Sequence, residues 1–165
     1  MKLCRVGEPG LEKPAIIDKN NTIRDLSTIV SDLNPKTLNF ETIDKIDSIN
    51  LNDLTEINPD LRMGPCVGNP SKFLGIGLNF KDHALEQNLP IPDEPIIFSK
   101  FTNCVCGPND DIEIPKGSEH TDWEVELGFV IGKKAKYISE NEALKYVLGF
   151  FLVNDVSERL SLIHI

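Results

Sequence analysis

Short apolar stretches, alternating or continuous and separated by turn-forming residues, recur along the chain and predict a mostly β protein with short helices. Near the N-terminus, turns at Glu8-Pro9-Gly10 and Lys19-Asn20-Asn21 separate three predicted strands. These strands cover residues 1–6, 14–17 and 22–26. A short helix is expected over residues 26–33. It would stop before Asn34-Pro35, since the residue before a proline is disfavoured in the α region.

The second half of the chain combines further strands with short helices. Predicted strands cover residues 72–78, 96–100, 112–115 and 147–153. One short helix is expected over residues 79–87, and an S-x-x-E capping box at Ser139 predicts another that continues to about Tyr146. Gly75 and Gly77 indicate a tight backbone turn beside a ligand, whereas Phe80 occupies the third glycine position of a dinucleotide-binding fingerprint and excludes that motif.

The segment from Asp122 to Gly128 alternates charged and apolar residues, which predicts a strand with one buried face. Asp122, Glu124 and Glu126 would share the other face. Carboxylates two positions apart on a strand lie roughly 7 Å apart, so both can bind one hard cation. A third carboxylate, Asp155, ends an apolar run. For E-x-E alone, the alternative is a solvated strand face.

Two further groups could take part in chemistry. His83 and Glu86 are three positions apart on a predicted helix, so their side chains share a face. The alternative is a surface helix whose histidine pairs with a neighbouring acid. Lys100 lies on an apolar strand, where burial is costly without an anionic partner; the alternative is a side chain that extends to the surface.

Composition narrows the function classes. A net charge of −9 argues against nucleic acid and against an anionic membrane surface as partners. No apolar run approaches the ~20 residues that span a bilayer. The cysteines lack C-x-x-C spacing, so a zinc or redox site is not indicated and a reducing cytoplasm is the expected location.

Taken together, these segments resemble the fumarylacetoacetate hydrolase family. Its motifs G-x-N-[FY]-x-x-H-x-x-E, I-F-x-K, D-x-E-x-E-L-G and N-D-x-[ST]-x-R appear here in order, at residues 77–86, 97–100, 122–128 and 154–159. The opening residues also resemble the small N-terminal domain of bacterial members that act on diketo-deoxy sugar acids or ureidoglycolate. The resemblance covers residues 1–159.

The resemblance implies a mixed β-roll catalytic domain over residues 65–159, incomplete here, preceded by a small α+β domain over residues 1–64. His83 and Glu86 would form the catalytic dyad, and Asn79 and Lys100 would bind substrate. Glu124, Glu126 and Asp155 would bind Mg²⁺, with Mn²⁺ or Ca²⁺ as alternatives. Asp122 would support these ligands without binding the ion.

The implied function is hydrolysis of a carbon–carbon bond in a 1,3-dicarbonyl or acylpyruvate-type 2-oxo acid. His83, oriented by Glu86, would take a proton from the attacking water while Mg²⁺ holds the departing enolate. Alternatives on the same site are ureidoglycolate lyase and 2-oxo acid decarboxylase or isomerase activity. A different class is a structural Ca²⁺ site in a non-catalytic β module. We expect a small anionic 2-oxo or diketo acid as substrate and a homodimer for the intact protein.

The last six residues, 160–165, do not resemble the family's continuation. They match a translation of the transposase end sequence used in sequencing-library adapters. We therefore expect a non-native tail, exclude His164 from the candidate site, and expect a C-terminally truncated chain that is inactive by itself.

Overall fold

The computed structural model describes residues 1–159; the expected non-native tail, with His164, lies outside the described residues. An antiparallel sheet with strand order β3-β2-β1-β4 forms the first part of the molecule. Its strands are β1 (Lys2–Val6), β2 (Lys13–Ile17), β3 (Ile23–Asp25) and β4 (Met63–Gly64). The first three confirm the predicted strands. The second reversal falls at Asn21, whose φ of 61° is stabilised by neighbouring amides that donate to the Asp18 carboxylate.

Two groups of buried apolar side chains pack on this sheet. One contains Cys4, Val6, Ala15 and Ile23; the other contains Ile16, Leu26, Val30, Leu33 and Ile46. Ile46 lies on helix α1 (Phe40–Asp47). Asn39 caps the N-terminus of this helix, because its side chain accepts a hydrogen bond from the Thr42 amide. Every described large apolar side chain that is fully buried therefore belongs to residues 1–46.

The helix expected over residues 26–33 is wrong, because this segment forms turns. The Leu26 amide donates to the Pro14 carbonyl and so extends the pairing of β3 with β2. The Asp25 carboxylate then accepts the Ser27 amide, which closes a turn where a helix would have begun. Leu26, Val30 and Leu33 nevertheless reach the core, so the apolar spacing indicated burial correctly but not the backbone conformation.

Charged side chains are buried in this sheet only in pairs. Arg24 and Asp18 lie 2.8 Å apart, and Arg5 contacts Asp32 at 2.7 Å. Arg62, next to β4, donates to Asp110 at 2.7 Å and to the Gly7 carbonyl at 3.0 Å. The ion pair of Arg62 with Asp110 joins the N-terminal sheet to a loop of the second half of the chain.

Three separate two-stranded antiparallel sheets follow. The pairs are β5 (Phe73–Gly77) with β6 (Ile96–Lys100), β7 (Thr121–Asp122) with β10 (Ser157–Glu158), and β8 (Val125–Ile131) with β9 (Val147–Asn154). Helix α2 (Lys81–Glu86) follows β5, and short 3₁₀ helices cover Leu51–Asp53, Thr102–Cys104 and Glu140–Tyr146. The mostly β fold with short helices is thus confirmed, whereas the division at residue 64 stays a prediction.

The single strand expected from Asp122 to Gly128 is wrong, since β7 ends at Asp122 and β8 begins at Val125. The Trp123 amide donates to the Asp122 carboxylate, and the Glu124 amide donates to the Asn154 side chain. These two backbone amides therefore donate to side-chain oxygens, whereas in a continuous strand they would be available to the backbone of a neighbouring strand. The three acidic residues do not lie on one regular strand face.

Two smaller predictions also differ from the structure. Residues 112–115 have no strand pairing, because the flanking segment runs as a loop. The helix after Ser139 is present but is a 3₁₀ helix, in which the Glu142 amide donates to the Ser139 carbonyl and the serine side chain makes no capping bond.

Glycines opposite aromatic rings have a steric role. A Cβ on Gly75 would collide with the Phe98 ring across the β5–β6 pair, and one on Gly128 would collide with the Phe151 ring across the β8–β9 pair. The tight turn expected at the glycines instead falls on Leu78, which has a φ of 49°. Within residues 1–159 no helix combines the length and apolar character needed to cross a bilayer.

Candidate active site

Hydrogen bonds link segments that are distant in sequence at the start of β8. The Asp155 amide donates to the Glu124 carbonyl at 2.8 Å, directly beyond the paired residues Val125 and Asn154. The register of β8 with β9 therefore places two of the three predicted metal ligands side by side. The third, Glu126, lies two residues further along β8.

Lys100 and Asp155 form an ion pair that joins the end of β6 to the end of β9. Their side chains are 21% and 12% exposed, so the lysine has the anionic partner that its position on an apolar strand requires. What the structure places against the ammonium group is a carboxylate of the protein itself. The expected contact of Lys100 with a substrate carboxylate stays a prediction.

Arg159 contacts two carboxylates at once. Its guanidinium lies 2.8 Å from Asp122 and 2.5 Å from Glu124. The hydrogen bond from Arg159 lowers the pKa of the Asp122 carboxyl below its ordinary value, so Asp122 carries its charge over a wider pH range. Antiparallel pairing of Ser157 with Asp122 brings the arginine to this position. Through this shared arginine, Asp122 is linked to the predicted ligand Glu124.

Arg159 is a candidate site residue that sequence reasoning missed; the structure shows its ion pairs with Asp122 and Glu124. In the sequence it is only the last letter of the N-D-x-[ST]-x-R motif, with no role of its own. An arginine four positions after a predicted ligand carboxylate, on a chain rich in acidic residues near the site, was the available signal.

Asn79 lies against Glu126. Its side-chain amide donates to the Glu126 carboxylate at 3.1 Å. The left-handed backbone at Leu78 turns the chain from β5 toward this contact before α2 begins. A non-glycine residue in that conformation is strained by about 1–3 kcal/mol and persists only where surrounding contacts stabilise it. The expected role of Asn79 in binding substrate stays a prediction.

His83 and Glu86 both lie on α2, in the short helix that follows Asn79. His83 is half-buried and Glu86 is exposed. Among residues 1–159 the structure records no hydrogen bond between the two side chains. The helix confirms their spacing, whereas their role as a catalytic dyad stays a prediction.

The donor chemistry of the acidic residues fits a hard divalent cation, because Glu124, Glu126 and Asp155 offer carboxylate oxygens. Their present arrangement does not: within residues 1–159 no three acidic, histidine or cysteine side chains are gathered as one ligand set. Each carboxylate is held by a different donor instead. The carboxylate oxygens therefore suit a divalent cation, but in this structure they contact donors of the protein and are not gathered around one point.

These features define the class of protein: a mostly β chain in which paired hairpins bring carboxylates, a lysine and an arginine together next to a helix that carries histidine and glutamate. Residues 72–163 match the family described as fumarylacetoacetate (FAA) hydrolase, C-terminal. The chain belongs to the fumarylacetoacetate hydrolase family.

Relatives and solved structures agree with this assignment. A Burkholderia cenocepacia protein named "putative hydrolase" is 52% identical over 159 residues, which are 96% of this chain and 56% of that protein. The chain thus spans about half the length of the curated relatives it matches. A Mycobacterium smegmatis structure named a "putative HpcE protein" superposes with a TM-score of 0.75 at 27% identity, covering 96% of this chain and 56% of that chain.

The fold is also that of a fumarylacetoacetate hydrolase from Exiguobacterium antarcticum. That structure has a TM-score of 0.74 at 23% identity, with coverage of 99% of this chain and 59% of the other. Similarity at this level of identity concerns the fold alone. It supports the interpretation of the three two-stranded sheets as part of a larger mixed β-roll.

Proposed function

We propose that the protein is a metal-dependent hydrolase that cleaves a carbon–carbon bond in an acylpyruvate-type 2-oxo acid or another 1,3-dicarbonyl acid. One observation carries the proposal: contacts between pairs of residues link four separate segments around the start of β8. The residues are Asn79, Lys100, Glu124 with Glu126, and Asp155. Family membership supports an enzyme, and the curated relative's name supports hydrolysis.

The carboxylates Glu124, Glu126 and Asp155 would hold Mg²⁺, with Mn²⁺ or Ca²⁺ as alternatives. When bound, the ion would supply Lewis-acid polarisation of the substrate carbonyl. Arg159 would keep Asp122 ionised and would hold both Asp122 and Glu124 in position, because its guanidinium contacts both.

His83 would take a proton from water so that the hydroxide adds to the acyl carbon of the substrate. Glu86, three positions along the same short helix, would orient the imidazole. Cleavage of the carbon–carbon bond then leaves a carboxylic acid, and the other carbon takes up the proton to give a 2-oxo acid. The substrate is a small anion, and we propose that the intact protein is a homodimer.

Removal of the metal and substitution of the proposed ligand carboxylates both test this function. Chelation by EDTA should abolish hydrolysis of an acylpyruvate by the intact gene product, and added Mg²⁺ or Mn²⁺ should restore it. Glu124→Gln, Glu126→Gln and Asp155→Asn should each lower kcat/KM more than Asp122→Asn, for which about 10–100-fold is expected of a supporting residue. Product analysis separates hydrolysis from lyase, decarboxylase or isomerase chemistry. Full activity in chelator would overturn the metal-dependent mechanism.

The dyad has its own test. His83→Ala should lower kcat by about 10²–10⁴-fold, the usual contribution of a positioned general base. Mn²⁺ affinity should not change, because His83 is not among the proposed ligands. Unchanged turnover by the His83 variant would favour the structural cation site, which has no use for a histidine on α2.

A further inference from the structure

Each carboxylate proposed to bind the ion is already held by a donor from another part of the chain. Lys100 pairs with Asp155, Arg159 with Glu124, and Asn79 with Glu126. We propose that these donors substitute for the divalent ion while the site is free of it, and that binding of the ion displaces Lys100 from Asp155. This inference rests on the proposed function.

The charges at the site leave a deficit that a divalent ion fits. Two positively charged side chains stand against four carboxylates, which leaves two negative charges at one end of the β8–β9 hairpin; the residues are Lys100, Arg159, Asp122, Glu124, Glu126 and Asp155. Asp155 is 12% exposed, so an uncompensated charge there would be costly. Lys100 removes that cost until an ion replaces it.

Lys100, rather than Arg159, is the donor that can leave. Arg159 contacts two carboxylates, and its own amide donates to the His120 carbonyl at 3.0 Å, beside the β7–β10 pair. Among residues 1–159, Lys100 has one anionic partner, Asp155. Lys100 stands at the end of β6, and its ammonium group is carried by a flexible four-carbon side chain. Exchange at Lys100 therefore costs one contact, whereas loss of Arg159 would release two carboxylates.

After displacement from Asp155, the Lys100 ammonium group could bind an anion in a neighbouring cavity. Lys100 lines a cavity of about 360 Å³ at the open end of the β5–β6 hairpin, together with the apolar Phe73 and Leu74 and the polar Ser71, Lys72, Ser99 and Thr102. Hydroxyl groups and a second lysine suit the carboxylate of a small acid. The ion would thus free a cation for the anionic substrate, and binding would be ordered, with the ion before the acid.

The variant Lys100→Met tests this exchange. Titration calorimetry of the intact gene product with Mn²⁺ should show an affinity about tenfold higher for the variant than for the wild type, because the competing ammonium group is gone. Lys72→Met is the matched control: it makes the same change of charge in the same cavity and should alter affinity by less than about threefold. Lys100→Arg keeps the competing charge and should bind Mn²⁺ as the wild type does.

Oxalate, a small dianion, provides the second measurement. The wild type should bind oxalate much more tightly with Mn²⁺ present than without it. Lys100→Met should gain Mn²⁺ affinity and lose oxalate affinity. A general effect of the lost positive charge would also raise the Mn²⁺ affinity of Lys72→Met, whereas the exchange predicts that gain at Lys100 alone. Circular dichroism of each variant checks that the fold is retained.

Two failures are distinguishable. Failure of the wild type to bind Mn²⁺, or binding that Asp155→Asn leaves unchanged, would overturn the proposed metal function and this inference with it. If Mn²⁺ binds through Asp155 but Lys100→Met binds it equally or more weakly, the metal function stands and the exchange is wrong. Should Lys100→Met not fold, Lys100→Gln replaces it, because it removes the same charge with a polar side chain and has the same two outcomes.

Discussion

Residues 1–64 and residues 65–159 contain similar secondary structure but bury their side chains very differently. The first segment packs two apolar clusters against a four-stranded sheet. In the second, the buried residues among those described are Gly68, Ala84 and Gly107, none with a side chain larger than a methyl group. The proposed chemistry thus lies entirely on the segment that lacks a core of its own.

The difference shows most clearly on the β8–β9 hairpin. One face of this pair carries large apolar side chains that are at least half exposed: Val125, Leu127, Phe129, Ile131, Phe150 and Leu152. A two-stranded sheet is marginally stable in water unless such a face is covered. Ion pairs between the two-stranded sheets hold the site together in place of apolar packing. An exposed ion pair stabilises a fold less than burial of a large apolar side chain does.

The largest expected effect is self-association of the chain through the exposed apolar face of the β8–β9 pair. An exposed apolar sheet face of this size should drive self-association or partial unfolding, and the uncharged run 147–153 adds β-aggregation propensity. Sedimentation velocity should show aggregates. Leu152→Lys (82% exposed) should reduce them strongly, whereas Leu11→Lys (77% exposed, in an N-terminal turn) should not. A monodisperse monomer with one cooperative melt and acylpyruvate hydrolysis would contradict this prediction.

A smaller effect is expected on the free energy of unfolding, which should depend on apolar side chains of the first segment but not on those of the second. Leu26→Ala should lower the free energy of unfolding of the N-terminal sheet by about 2–5 kcal/mol, because Leu26 is fully buried and its truncation leaves a cavity. Leu127→Ala should change it by less than about 0.5 kcal/mol, since Leu127 is 62% exposed. Hydrogen exchange of the β1 and β2 amides in denaturant measures the free energy of unfolding of this sheet in both variants. Equal losses for the two variants would mean that the segments unfold as one unit.

The smallest expected effect is a pH dependence of the stability of the N-terminal sheet. The hydrogen bond from Arg24 lowers the pKa of Asp18; burial raises that of Asp32, but hydrogen bonds from Arg5 and Asn34 outweigh burial and lower it. Both folded-state pKa values lie below the ordinary 3.8, so this stabilisation is complete above about pH 5 and is lost as pH falls through and below 3.8.

The Tm of the sheet should accordingly stay constant from pH 7 to about 5 and fall below pH 4. Asp32→Asn should lower the Tm at pH 7 and flatten the decline in acid, while the exposed Asp60→Asn serves as the control for loss of one charge. A Tm that rises on acidification would show that burial, rather than hydrogen bonding, dominates these carboxyl groups.

Local sequence patterns by themselves determined much of this protein. The first three strands, the hairpin strands β5, β6 and β9, and the helix that carries His83 follow from periodicity and turn residues, because these signals act over a few positions. The order and spacing of Asn79, Lys100, Glu124, Glu126 and Asp155 identified the family. Its membership was confirmed by comparison, and those residues' roles stay predictions.

Tertiary structure alone decided how these residues meet. No local pattern could show that the Asn154 side chain takes the Glu124 amide and splits the acidic strand, or that Asp25 closes a turn where Leu26 to Leu33 had helical spacing. The contacts of Lys100 with Asp155 and of Arg159 with Asp122 span 55 and 37 positions in sequence. Such pairings depend on strand register, which each hairpin sets only when the whole segment folds.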